Sequence, residues 1–112
     1  MLIVVNRFRV SGDAGDLGDE SALRSGLEEA WALLAAKPGY VGGEIGRNLD
    51  DPALWLLTTR WENVGSYRRA LSAYDVKLNA VPTLSRALDE PSAYESAAPG
   101  EDLNEPGTRH VG

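Results

Sequence analysis

Residues 2–10 form two interleaved rows, Val4, Asn6, Phe8 and Val10 on one side and Ile3, Val5, Arg7 and Arg9 on the other. A period of two is that of a strand, because successive side chains point to opposite faces. Residues 11–19 carry Gly12, Gly15, Gly18 and three aspartates, and read as a loop with Asp19 or Ser21 placed to cap a helix. The period then changes. Leu23, Leu27, Ala30, Trp31 and Leu34 recur at helical spacing through residues 20–37, with Glu28 and Glu29 on the other side. Pro38-Gly39 stops that helix. Residues 40–47 read as a glycine-bearing strand, and Asn48-Leu49-Asp50-Asp51-Pro52 supplies turn chemistry. Residues 53–61 are the most apolar strand and are expected at the sheet centre. Asn63 is placed to cap a second helix with the stripe Tyr67, Ala70, Leu71, Tyr74 and Leu78. Pro82 interrupts it, and a short helical turn through Leu84 and Leu88 follows. Residues 92–96 read as a last edge strand, and from Ala97 the chain is a polar tail.

The order strand, helix, strand, strand, helix, strand predicts an α+β, ferredoxin-like βαββαβ fold with an antiparallel sheet. Residues 1–96 form the domain and 97–112 an acidic, Pro- and Gly-containing tail. Both helices cover one sheet face. The other face would expose Ile3, Val5 and apolar residues of the third strand, so a symmetric homodimer is expected to bury it.

Charge narrows the functional classes. The chain has a net charge of -6 and no basic cluster, which argues against nucleic acid and against anionic membranes as partners. Cysteine is absent, which removes disulfides, thiolate ligands and a cysteine nucleophile. The single histidine, His110, lies in the tail, so a Ser-His pair or a histidine metal cluster is not expected. No apolar window reaches membrane-span length, and the N-terminal apolar run is too short for a signal region, so a cytoplasmic protein is expected.

The segment Trp61-Glu62-Asn63-Val64-Gly65-Ser66-Tyr67 joins a strand end to a helix start and places two polar-tipped aromatics across that junction. Such residues suit a small aromatic-binding pocket, each bringing an apolar body and a hydrogen-bonding tip. Asn6 sits between Val4 and Phe8 on one strand face, where a buried amide needs partners. The bland readings are that Trp61 is core, that Tyr67 and Tyr74 are core tyrosines, and that Asn6 bonds only backbone or water. Trp31 and Trp55 read as core or dimer aromatics. Glu62 reads as a helix first-turn carboxylate, and the spaced glycines lack the ending of a phosphate loop.

Trp61-Glu62, Pro38-Gly39 followed by the glycine-bearing strand, and the hairpin ending Asp50-Asp51-Pro52 resemble the antibiotic biosynthesis monooxygenase family over roughly residues 2–95. The resemblance implies a dimeric α+β barrel. The family includes cofactor-free oxygenases of aromatic polyketide pathways, quinol-type oxygenases and haem-degrading enzymes. In the anthrone-oxidising branch, a Trp and a Tyr at the Trp61 and Tyr67 positions line the pocket, and an Asn stands where this chain has Leu57. In the haem-degrading branch, an Asn-Arg pair like Asn6-Arg7 is functional, but the axial His and a Trp fall near Ala80 and Ala70. The resemblance therefore implies a cofactor-independent monooxygenase that takes O2 and a small electron-rich aromatic substrate, of the phenol, quinol or polyketide type. Its catalytic candidates are Trp61, Tyr67 and Asn6. Its substrate-contact candidates are Tyr74, Phe8 and Leu57, with no metal and no cofactor. The alternatives are a non-catalytic dimeric ligand-binding or assembly module, and a haem-degrading monooxygenase.

Overall fold

A computed structural model describes residues 1–11 and 17–103. Gly12, Gly15, the tail from residue 104 and His110 lie outside the described residues. The elements are β1 (Leu2–Arg9), α1 (Leu17–Ala35), β2 (Tyr40–Arg47), β3 (Leu54–Trp61), α2 (Val64–Ser72), α3 (Tyr74–Asn79), α4 (Val81–Leu84) and β4 (Ala93–Glu95). The sheet order is β2-β3-β1-β4, with every pairing antiparallel. This is the expected ferredoxin-like α+β arrangement, and the sheet is open rather than closed into a barrel. Among the described residues no helix is long and apolar enough to cross a membrane.

Register decides which residues meet. Leu2, Val4, Asn6 and Phe8 lie opposite Trp61, Thr59, Leu57 and Trp55, so these eight share the helix-covered face. A bulge between Tyr40 and Gly42 pairs Tyr40 with Trp61 but Gly42 with Arg60. The extra residue turns Tyr40 toward the helices. The core has two lobes. One gathers Leu2, Val4, Leu34, Trp61, Ala70, Val76 and Ala80, and the other Phe8, Leu23, Leu27, Trp55 and Leu57. On the opposite face Ile3, Val5, Leu54 and Leu56 are half-buried, with no helix over them.

Two sequence expectations are corrected. α1 begins at Leu17, so Asp19 and Ser21 lie inside the helix rather than capping it. Asp19 instead accepts from the Ser11 backbone N–H and from Arg86 at 3.1 Å, and these partners hold its carboxyl below the usual range. The second correction concerns the stripe running from Tyr67 to Leu78. Ala73 adopts an extended conformation (ψ 140°), which ends α2 and resets the helical phase. Val76 and Ala80 then face the core, while Tyr74 is 80% exposed and Leu78 57%. Asp75 fixes the new segment: its carboxylate pairs with Lys37 at 2.8 Å and accepts from the Val76 N–H at 2.9 Å. Lys37 is the largest cause of its lowered pKa.

Two local devices set the angle between β3 and the helices. Asn63 Oδ1 accepts from the Ser66 N–H at 2.8 Å, which caps α2 as expected. Gly39 has φ +88°, a conformation that L side chains rarely adopt, and a Cβ there would collide with the Ser66 side chain. Its carbonyl accepts from the Glu62 N–H at 2.8 Å, tying the α1–β2 turn to the start of the helix. Gly39→Ala is therefore expected to cost about 1–3 kcal/mol from backbone strain alone, with the Ser66 collision adding to it. Asn63→Ala should cost about 1 kcal/mol, the worth of one cap. Urea denaturation of the two variants checks the order: Gly39→Ala must be the more damaging.

Candidate functional site

Trp61 ends β3 and is fully buried. Tyr40 meets it edge-on from β2, with ring centroids 5.5 Å apart and planes at 84°. Tyr67 meets it from α2 at 5.6 Å and 50°. Such pairs contribute about 0.5–1.5 kcal/mol each beyond simple burial. The polar tips are ordered as well. The Trp61 indole N–H donates to Thr59 Oγ1 at 2.9 Å, and the Trp31 indole N–H donates to the Tyr40 hydroxyl at 2.7 Å. Gly43 lies beneath this arrangement; a Cβ there would stand 2.9 Å from the Tyr40 hydroxyl and 3.2 Å from Thr59 Cγ2.

Tyr67 is four residues beyond the Asn63 cap, which places it on the inner side of α2 beside Ala70. Burial pushes its phenol above the ordinary tyrosine range, and the nearby Asn6 side chain pulls the other way without cancelling the shift. Asn6 is half-buried in β1 and stands close to Tyr67.

Tyr67 links the three candidates: its ring packs against Trp61, and the Asn6 side chain lies near it. Leu57 lies opposite Asn6 in the sheet and is fully buried, and Phe8 packs in the neighbouring lobe with Trp55. Tyr74 does not join them: contrary to the expected stripe, it points out of the single chain because Ala73 breaks the helix. Sequence reasoning missed Thr59 and Tyr40. The signal for both was present. Thr59 shares a strand face with Trp61, and Tyr40 is a polar-tipped aromatic at the start of β2.

Two surface cavities lie elsewhere, on either side of Trp55. One of about 520 Å³ is bounded by α1, β2 and Trp55, and one of about 350 Å³ by Arg7, Asn48, Leu54 and Leu56 among others. Neither is lined by Asn6, Trp61 or Tyr67. Among the described residues no group of three or more His, Cys, Asp or Glu side chains is arranged to hold a metal ion. Ala70 and Ala80, which stand near the positions of the Trp and axial His of the haem-degrading branch, are packed into the core. The chain therefore lacks the donor that haem iron would require there.

The sequence model of the antibiotic biosynthesis monooxygenase family matches residues 1–77. The chain belongs to this family. Solved structures similar to it include a point mutant of SnoaB, a cofactor-independent oxygenase from Streptomyces nogalater, at 22% identity and TM-score 0.70, covering 93% of this chain and 97% of that one. Rv0793 from Mycobacterium tuberculosis is similar at 16% identity and TM-score 0.68, covering 89% and 98%. A conserved protein from Methanosarcina mazei Go1 is similar at 16% identity and TM-score 0.68, covering 86% and 92%. At these identities the likeness is one of fold. No curated protein matches the sequence.

In this family member, the raised phenol of Tyr67 makes a pH prediction. The folded state resists deprotonation of Tyr67, whereas the unfolded chain ionises near the ordinary value of about 10. The stability carried by the neutral phenol is thus present below that value and is lost as pH rises from it through the folded pKa. Absorbance titration should show Tyr67 ionising above the ordinary tyrosine range. Tyr67→Phe should remove that late transition and lessen the loss of stability in strongly alkaline solution.

Proposed function

We propose that the protein is a homodimeric, cofactor-independent monooxygenase acting on a small electron-rich aromatic of the phenol or quinol type. The observation that carries this reading is the half-buried Tyr67–Asn6 pair beside Trp61, in a chain of a monooxygenase family. A hydroxyl whose ionisation is suppressed remains a hydrogen-bond donor at neutral pH, and an amide adds donors of its own. Together they can hold a substrate oxygen and stabilise the anion formed as its proton leaves. Trp61 offers its ring as a wall, since its N–H is held by Thr59.

The redox balance closes without a cofactor. A phenol that becomes a quinone supplies four electrons to O2; one oxygen atom enters the ring and the other leaves as water. The protein's part is to bind the anion, orient the ring and exclude water. Phe8 and Leu57 then contribute apolar surface around Asn6.

The uncovered sheet face supports the dimer. Ile3, Val5, Leu54 and Leu56 together resemble half of a core rather than a solvated surface. A mate packed on this face should bury more than roughly 2,000 Å² in total. Light scattering should report a dimer at micromolar concentration, and Leu56→Asp should yield a folded monomer.

A second reading, a dimeric module without catalysis, is favoured by the internal satisfaction of the Trp61 N–H. Oxygen uptake with a panel of phenols and hydroquinones separates the two. Tyr67→Phe and Asn6→Leu should each lower turnover by about 10²-fold, the loss of one anion-stabilising donor, while Trp61→Phe should cost less. Melting temperatures measured on the same samples show whether each variant is folded. Folded variants that keep full turnover, or a wild type that consumes no oxygen with any member of the panel, would favour the module.

A further inference from the structure

Four oxidisable rings stand in unbroken contact. Tyr67 meets Trp61 with ring centroids 5.6 Å apart, Trp61 meets Tyr40 at 5.5 Å, and the Tyr40 hydroxyl accepts the Trp31 indole N–H at 2.7 Å. The series starts beside Asn6 and ends on α1 at Trp31, which is half-buried. Core packing asks only for rings. The chain's single phenylalanine, the one aromatic type here that resists one-electron oxidation, is Phe8, and it lies in the other lobe. Electron tunnelling falls off exponentially with the gap between donor and acceptor, so rings in contact exchange electrons far faster than separated ones. Trp55 is the separated one: six residues from Trp61 along β3, it stands roughly 20 Å away at the rise of a strand.

We infer that Tyr67, Trp61, Tyr40 and Trp31 form a conduit that carries one-electron oxidising equivalents from the Asn6–Tyr67 pair to the surface of α1. Burial sets its direction. An indole that loses an electron becomes a cation, and a cation is costly where water is excluded. Trp61 is fully buried, whereas Trp31 reaches solvent, so the positive charge moves outward. Trp61 passes the charge on without losing its proton, because its N–H is held by a neutral hydroxyl, that of Thr59, and not by a base. The oxidant is an oxyl radical, RO• or HO•, from homolysis of the O–O bond of a substrate hydroperoxide. It gains one electron through the conduit and one proton from water, and becomes ROH or water. Trp31 supplies the electron and releases its N–H proton to water, which leaves a neutral indolyl radical. A diffusible thiol or ascorbate then returns one hydrogen atom to that nitrogen. In sum, one hydrogen atom passes from reductant to oxyl radical and the protein is unchanged. The source of the oxidant rests on the monooxygenase reading above; the conduit itself does not.

The test supplies its own oxidant. The chain has no cysteine, so Val64→Cys, at a residue 44% exposed and one turn before Tyr67 on α2, takes a single ruthenium polypyridyl label. A flash with an irreversible cobalt(III) acceptor generates ruthenium(III), which draws one electron from the protein. Peptide mass mapping then locates the oxygen that air adds to the oxidised indole. Trp31 should carry most of the tryptophan product and Trp55 should stay at the level of the dark control. Tyr40→Phe keeps the ring and removes the hydroxyl that Trp31 meets; it should abolish most of the Trp31 product and shift damage to Trp61, and Trp31→Phe should shift it likewise. The proposal is overturned if Trp55 carries as much product as Trp31, or if folded Tyr40→Phe protein keeps the full yield at Trp31, which would mean direct attack from solvent. The comparison of Trp31 with Trp55 alters no ring of the conduit, so it decides even where a variant fails to fold. Delivery to Trp31 in a chain that consumes no oxygen with any phenol would support the conduit and sink the monooxygenase reading.

Discussion

A fully buried indole at the end of β3 governs the geometry around it. Trp61 must be covered on every side and its one polar atom must be paired, or the cost of burial would exceed its gain. Each requirement recruits a different element. Thr59, on the same strand face, accepts the N–H. The bulge in β2 turns Tyr40 inward to meet the ring edge. The Asn63 cap starts α2 early enough for Tyr67 to lie against the ring. Gly39 lets the α1–β2 turn approach Ser66 where any side chain would obstruct it. Removing a buried Trp side chain typically costs about 3–5 kcal/mol, comparable to a large part of a small domain's whole stability. The residues that could do chemistry are thus held by the same contacts that hold the fold.

That coupling bears on function. Asn6 and Tyr67 come from the first strand and the second helix, far apart in sequence, and come close because Asn6 lies on the helix-covered face of the sheet and Tyr67 packs against it. Half-burial suppresses ionisation of the phenol while leaving it able to donate, which is the state an anion-stabilising hydroxyl requires. The open sheet face is the complementary half of the design. Its apolar residues are continuous with the core through β1 and β3, since each strand shows alternate side chains to either side.

The strands were legible because a period of two is hard to mistake: β1 and β3 place their buried and half-buried residues as the alternation demands. Pro38-Gly39 and Asn63 were legible because their chemistry is local. The break at Ala73 was not. Alanine is the best helix former, so nothing in Ser72-Ala73-Tyr74 announces an extended residue. The break is fixed from a distance, by Lys37 holding Asp75 and by Val76 entering the core. One missed residue was enough to rotate Tyr74 from a supposed pocket wall to the surface. Asn6 could be suspected from its place among apolar neighbours, but its partner could not, because no sequence spacing links it to Tyr67.

The three tryptophans differ in how the one polar atom of each is satisfied. Two donate inward: Trp61 to Thr59, two residues back in the same strand, and Trp31 in α1 to Tyr40 in β2. Their N–H groups are structural, and a ligand seeking them would have to compete with an existing bond. Trp55 occupies the same β3 face as Trp61 but stands among Phe8, Leu57 and Arg47, none of which can accept. Burial alone therefore does not tell which indole is paired in this protein, since Trp55 and Trp61 are both deeply buried. What separates them is whether the fold has already spent the one hydrogen bond that each indole can donate.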